Sequence, residues 1–132
     1  MAQYQHLPIY RLTYELLNRI VVAVRAFPRD DKFTLGQSMK AEVMAMVVLI
    51  YRANSTEGEK RAELIERLLE GLQVVGLLVR LAKDQRILSI KSYASIVEMT
   101  ESLGKQAQGW KKATAAKAKT PRQSVQVGAS CR

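Results

Sequence analysis

The chain has little of what most catalytic and cross-linked proteins need. Its 132 residues contain one histidine, His6, and one cysteine, Cys131. A single cysteine cannot form an internal disulfide, and one cysteine with one histidine cannot supply the usual ligand set of a zinc site. No signal-peptide pattern stands near the N-terminus, so we expect a protein of the reducing cytoplasm.

Glycine-rich phosphate loops and convincing acid–base pairs are missing as well. No segment matches the P-loop or the dinucleotide-binding pattern. The adjacent carboxylates Asp30 and Asp31 are typical of a turn, and His6 lies ahead of the first predicted helix. We therefore expect no catalytic residue, no metal, no cofactor and no enzyme activity.

Long apolar runs are also absent from the sequence. The longest, residues 43–51 and 74–79, fall short of the roughly 20 residues that a membrane-spanning helix needs. The basic C-terminal segment lacks the Trp, Phe or Leu face of a helix that lies on a membrane surface. We expect a soluble protein with no membrane partner.

Hydrophobic residues make up 48% of the chain although aromatic residues make up only 6%. Leu, Ile, Val, Met and Ala carry the apolar content, which suits helices packed on helices better than a sheet. The length allows one domain with a substantial core.

Two stretches in the first half show the apolar spacing of amphipathic helices. The first begins at Pro8, which suits an opening helical turn, and ends at residues 27–28, since the residue before a proline avoids helical geometry. The second is expected to begin after Thr34, where residues 34–37 fit a capping box, and to end near Asn54. The two core stripes are Leu12, Leu16, Ile20, Val24 and Phe27, followed by Leu35, Met39, Val43, Met46 and Ile50.

Two further helices are predicted in the second half. The third follows another capping-box pattern at residues 56–59 and ends around Asp84, and the fourth begins after Ser89, which can cap it. The third has its stripe at Ile65, Leu68, Leu72, Val75 and Val79. The fourth has two candidate faces, one with Ile90, Tyr93, Val97 and Gly104, the other with Ile96, Met99, Leu103 and Trp110.

Short connections make sequential helices antiparallel, so the predicted fold is all-α, an up-down-up-down four-helix bundle over residues 1–112. From residue 113 onward the chain has almost no apolar anchors. We expect a disordered basic tail over residues 113–132. The alternative is a longer fourth helix that continues through Ala118.

The net charge of +9 favours polyanionic partners. Six bases and no acid lie beyond Trp110, and the preceding residues keep a net charge of +3. A single base near a helix C-terminus needs no explanation beyond the helix dipole, but a cluster with a basic tail favours a polyanion site. The predicted nucleic-acid or partner-binding residues are Arg29, Arg52, Arg80, Lys83, Arg86, Lys91, Lys111 and Lys112.

A four-helix bundle requires one apolar stripe on each helix. The second and third predicted helices carry apolar residues beyond that stripe. The surplus favours an interface with further copies of the chain or with another partner. The alternative is a wide core stripe with a few exposed aliphatic side chains. The predicted interface residues are Met44, Val48, Val74, Leu77 and Leu81.

Several short motifs, in order, resemble the Avd family, the accessory variability determinants of diversity-generating retroelements. They are residues 7–10 (LPIY), 27–29 (FPR), 33–36 (FTLG), 50–54 (IYRAN), 80–84 (RLAKD), 103–105 (LGK) and 109–110 (GW). The four-helix-bundle proteins encoded in intervening sequences of bacterial 23S ribosomal RNA are similar and provide the alternative reading.

The resemblance implies a non-enzymatic partner of a reverse transcriptase. Avd proteins form a barrel-like pentamer of four-helix bundles whose positive surface contacts the reverse transcriptase and its template RNA or cDNA and supports mutagenic cDNA synthesis. Arg29, Arg52, Arg80 and Lys83 fall at motif positions, whereas the other predicted basic residues rest on charge alone. In the alternative reading, the protein binds RNA without a reverse transcriptase partner.

Overall fold

Four helices, joined by connections of a few residues, account for nearly all of the chain that the computed structural model describes, residues 4–119. A short 3₁₀ turn, Tyr4–His6, precedes α1, Pro8–Arg25. The other helices are α2, Arg29–Asn54, α3, Gly58–Asp84, and α4, Ile90–Lys119.

The helices form the predicted antiparallel bundle. Each of α1 and α3 packs against both α2 and α4, so α1 and α3 lie on one diagonal and α2 and α4 on the other. The α1–α2 and α3–α4 connections meet at one end, which we call the two-turn end. The α2–α3 connection shares the opposite end, the terminal end, with the start of α1 and the last turns of α4.

The core follows the predicted stripes of the first three helices, because apolar side chains on one face of each helix lose contact with water together. On α4 the core face is the one with Ile96 and Leu103, both fully buried, whereas Ile90 on the other candidate face is 77% exposed. The largest fully buried side chains are Leu16, Ile20, Met39, Met46, Ile50, Ile65, Leu68, Ile96 and Leu103.

The predicted starts of α1 and α4 are confirmed, and both predicted capping boxes are wrong. Pro8 opens α1, and the Ser89 hydroxyl accepts a hydrogen bond from the Ser92 N–H at 3.1 Å. The Thr34 hydroxyl instead donates to the Asp30 carbonyl at 2.9 Å, inside a helix that already begins at Arg29. The Thr56 hydroxyl donates back to the end of α2.

A π-helical segment, Lys32–Gly36, carries α2 through the region where the sequence predicts a helix start. Gly36 is buried there, and a Cβ at this position would lie 2.5 Å from Val24 Cγ1 of α1. The absence of a side chain therefore lets α2 approach α1 closely at the two-turn end.

The fourth helix continues through Lys119, so the predicted boundary at residue 112 is wrong and the longer alternative is correct over residues 113–119. Thr114 is buried, and its hydroxyl donates to the Trp110 carbonyl at 2.8 Å. The rest of the predicted tail, residues 120–132, lies outside the described residues.

Among the described helices, α2 is the one long and apolar enough to cross a membrane by length and composition, with a mean hydropathy of 1.3. The core helix of a soluble bundle has the same property, and the α2 stripe of Met39, Val43, Met46 and Ile50 is buried in this core.

Candidate nucleic-acid interface

Five of the eight predicted basic residues lie at the two-turn end of the bundle, on three helices and on the connection between α3 and α4. Arg80 and Lys83 are in the last turns of α3, Arg86 follows that helix, and Arg29 and Lys91 are in the first turns of α2 and α4. Four of the five are exposed and Lys83 is half-buried. The antiparallel topology thus gathers charges that lie up to 62 residues apart in the sequence.

The end of α3 holds two of these bases around one carboxylate. Asp84 Oδ1 lies 3.3 Å from Lys83 Nζ, and Asp84 Oδ2 lies 3.8 Å from Arg80 Nε. Lys83 Nζ also lies 4.7 Å from the centre of the Tyr93 ring, a cation–π contact that links α3 to α4. Exposed ion pairs are weak, and the single carboxylate of Asp84 cannot neutralise both Arg80 and Lys83. These three residues therefore keep a net positive charge.

Arg86 occupies a backbone conformation that usually takes glycine. Its φ is 62°, in the left-handed region, at the position where α3 is closed by a chain reversal. The Arg86 N–H donates to the Lys83 carbonyl at 2.9 Å, and the Ile87 N–H donates to the Ala82 carbonyl at 2.9 Å. These bonds satisfy the last carbonyls of α3 and fix the place from which the exposed Arg86 side chain extends.

Helix dipoles separate the bases into two groups. Arg80 and Lys83 are near a helix C-terminus, where the dipole favours a positive charge. Arg29 and Lys91 are near helix N-termini, where the dipole opposes one, although Asp30 compensates beside Arg29. Helix stability therefore does not explain the positive charge at Lys91.

The other three predicted bases lie toward the terminal end and do not join this cluster. Arg52 is exposed in the last turn of α2, and Lys112 is exposed on α4. Lys111 Nζ lies 2.5 Å from Glu66 Oε1, so this lysine ties α4 to α3.

A furrow of about 1040 Å³ runs between α3 and α4, and sequence reasoning missed one of its bases. Arg80, Lys105 and Lys112 line it, with Glu101 as the acid among its lining residues. Lys105 and Lys112 are seven residues apart, or two helical turns, and this spacing is the sequence signal that could have identified Lys105.

All five predicted interface residues are exposed in the single chain, from 40% for Val74 to 72% for Leu77. The exposed apolar surface also includes Tyr14 and Tyr51, which the sequence analysis did not single out. These two belong to a tyrosine cluster at the terminal end, where the Tyr4 ring contacts both Tyr10 and Tyr51 edge-on.

Within residues 4–119, no three His, Cys, Asp or Glu side chains lie close enough together to hold a metal ion. His6 is exposed in the turn ahead of α1. The described surface has a cluster of positive charge, exposed apolar side chains and a furrow between two helices.

The fold is that of an all-α four-helix bundle with a basic end. The family model described as bAvd-like matches residues 7–114, which is nearly all of the bundle, and the chain belongs to this family. The assignment makes it an Avd-type accessory protein of diversity-generating retroelements, a family that is generally non-catalytic. A search of curated proteins gave no match to the chain.

Proposed function

We propose that this protein binds a reverse transcriptase and its template RNA and thereby supports mutagenic cDNA synthesis without catalysing a step itself. The observation that carries the proposal is the basic cluster at the two-turn end, on a chain of the bAvd-like family. We place the protein in the cytoplasm, where both partners would be present.

The cluster suits a nucleic-acid backbone because it brings several cations together without an acid beside each one. Arg80, Arg86 and Lys91 are exposed at this end, with Lys83 half-buried beside them. Phosphate contacts of this kind supply affinity and orientation but read little base sequence. The protein would hold the RNA, and the reverse transcriptase would supply the chemistry.

Assembly would multiply this effect. Exposed apolar side chains on α2 and α3 favour a closed homo-oligomer, and the family resemblance suggests five copies. An oligomer would present several basic ends at once. Multivalent attachment would then keep enzyme and template together at an effective concentration that neither reaches in solution.

The partner is tested by affinity purification of the tagged protein from its own host, followed by protein mass spectrometry and RNA sequencing. We expect a reverse transcriptase and its template RNA to be recovered. Recovery of ribosomes or ribosomal RNA with no polymerase would contradict the proposal and would support the ribosomal intervening-sequence alternative.

A further inference from the structure

Aromatic side chains are few in this chain, and half of them gather at the terminal end. The chain has five tyrosines, two phenylalanines and one tryptophan, and four of these eight form the tyrosine cluster. The Tyr4 ring contacts Tyr10 and Tyr51 edge-on, with ring centres 5.1 Å and 4.9 Å away. Tyr14 lies one helical turn after Tyr10, and these two rings are 20° from parallel with centres 6.1 Å apart. The cluster thus joins the turn ahead of α1 to both α1 and α2.

The tyrosine cluster is on the surface and not in the core. Tyr14 is 51% exposed and Tyr51 is 49% exposed, and Tyr4 and Tyr10 are half-buried. The N-terminal turn is held through the contacts of Tyr4 with Tyr10 and Tyr51, and Tyr14 takes part in neither. Buried ring area is what makes an aromatic side chain stabilising. The fold therefore leaves ring surface unused on Tyr14 and Tyr51.

Positive charge accompanies the exposed rings. Arg11 lies three residues before Tyr14, so these two exposed side chains are neighbours on the surface of α1. Arg52 follows Tyr51 and is also exposed. Glu15 is the one acid in the helical turns that carry the four tyrosines, and within the described part of the chain neither arginine forms a salt bridge. These turns therefore keep a positive net charge.

We propose that the tyrosine cluster stacks unpaired bases of RNA, an inference that rests on the nucleic-acid binding proposed above. Every base has a π face, so exposed aromatic rings beside cations bind single strands with little dependence on sequence. Arg11 holds the phosphate beside a base that stacks on Tyr14. A duplex cannot use this site, because its bases are already stacked on one another. The terminal end thus distinguishes unpaired from paired RNA, which phosphate contacts at the two-turn end do not.

Two other occupants suit exposed rings, a second copy of the chain and a proline-rich peptide. Val48 lies three residues before Tyr51 and is 45% exposed, so apolar surface continues from the ring along α2. Neither occupant gains from the arginines, however, since an apolar contact and a proline-rich strand carry no negative charge. The charge of the site therefore favours RNA.

Removal of the rings tests the stacking. Y14L/Y51L replaces both rings with aliphatic side chains, and its matched control Y14F/Y51F keeps the rings and loses only the hydroxyls. We expect Y14L/Y51L to weaken the binding of a short unstructured RNA strand by at least about tenfold. Y14F/Y51F should bind like the wild type. Because a ring carries no charge, neither variant should change the slope of log affinity against log salt, whereas R11A should reduce that slope by about 0.7. Fluorescence anisotropy of labelled RNA gives the affinities, with circular dichroism to confirm folding.

Two further ligands, an RNA duplex and an abasic strand of the same length, carry phosphates but no unpaired base. Each should bind the wild type and Y14L/Y51L equally. Equal affinity of these two proteins for the unstructured strand, or an equal loss on all three ligands, would overturn the stacking site. Loss of assembly in Y14L/Y51L by sedimentation velocity would assign the rings to contact between copies, and ring-dependent binding of a polyproline peptide would assign them to a peptide. Duplex binding and recovery of a reverse transcriptase do not depend on the tyrosines, so these results are distinguishable from a failure of the proposed function.

Discussion

Gly36 provides a quantitative test of how closely α1 and α2 pack. A Cβ at this position would lie 2.5 Å from Val24 Cγ1, whereas carbon atoms in good contact are about 3.5–4.0 Å apart. Either α2 or Val24 must therefore move by roughly 1 Å. Val24 is buried and β-branched, so its side chain cannot simply rotate away. We expect the steric term of Gly36→Ala to cost about 1–3 kcal/mol.

A second glycine separates this steric cost from helix propensity. Alanine is favoured over glycine inside a helix by about 1 kcal/mol, and this gain offsets part of the cost at Gly36. Gly109 lies within α4, and a Cβ there would meet nothing within 4 Å. Gly109→Ala should therefore show the gain alone, and the difference between the two variants gives the steric term.

The assay is urea unfolding followed by far-UV circular dichroism. Both variants and the wild type are measured at two protein concentrations tenfold apart, so that a contribution from assembly appears as a concentration dependence. Gly36→Ala should unfold at lower urea than Gly109→Ala. Equal stability of the two variants would refute the close contact between α1 and α2.

Two further predictions concern the basic end. Arg86→Gly removes a charge and also relieves the strain of a non-glycine residue in the left-handed region. This relief stabilises the folded chain by about 1 kcal/mol. The greater freedom of glycine in the unfolded chain offsets part of that gain. Thermal unfolding should show an unchanged or higher melting temperature. A lower melting temperature would contradict the strain that we assign to the left-handed backbone of Arg86. Replacing Arg80, Lys83, Arg86 and Lys91 with Ala should weaken single-stranded RNA binding and reduce the slope of log affinity against log salt by up to about 3. Deleting residues 120–132 should weaken binding less, and complete loss of binding on that deletion would place the site in the C-terminal segment.

The core could be predicted from the sequence because burial repeats with the helical period. Leu16, Ile20 and Ile50 stood on predicted stripes and are fully buried. For α4 the sequence left two faces open, since a helix with apolar residues on both sides has no single apolar stripe. Packing against α1 and α3 selects the face with Ile96 and Leu103.

The helix limits were predicted less well, for two physical reasons. Threonine can cap a helix or bond back to a carbonyl one turn earlier, and Thr34 and Thr56 do the latter. Residues 113–119 were expected to be disordered because they lack apolar anchors. Four of these seven residues are alanine, the strongest helix former, and Thr114 is buried.

The candidate site was only partly visible in the sequence. The short connections predicted an antiparallel bundle, and in that topology Arg29, Arg86 and Lys91 lie at one end. The sequence could not indicate that Lys111 pairs with Glu66, since that contact depends on the register between α3 and α4. The same register places Lys105 in the furrow between α3 and α4.

The most direct test of the proposed function is cDNA synthesis reconstituted from the host reverse transcriptase, its template RNA and this protein. The protein alone should polymerise nothing, and its addition should raise the yield of template-specific cDNA. R80E/K83E should lower that yield while the helical circular dichroism signal stays unchanged, which separates lost contact from lost fold. A cDNA yield that does not respond to the wild-type protein would contradict the account.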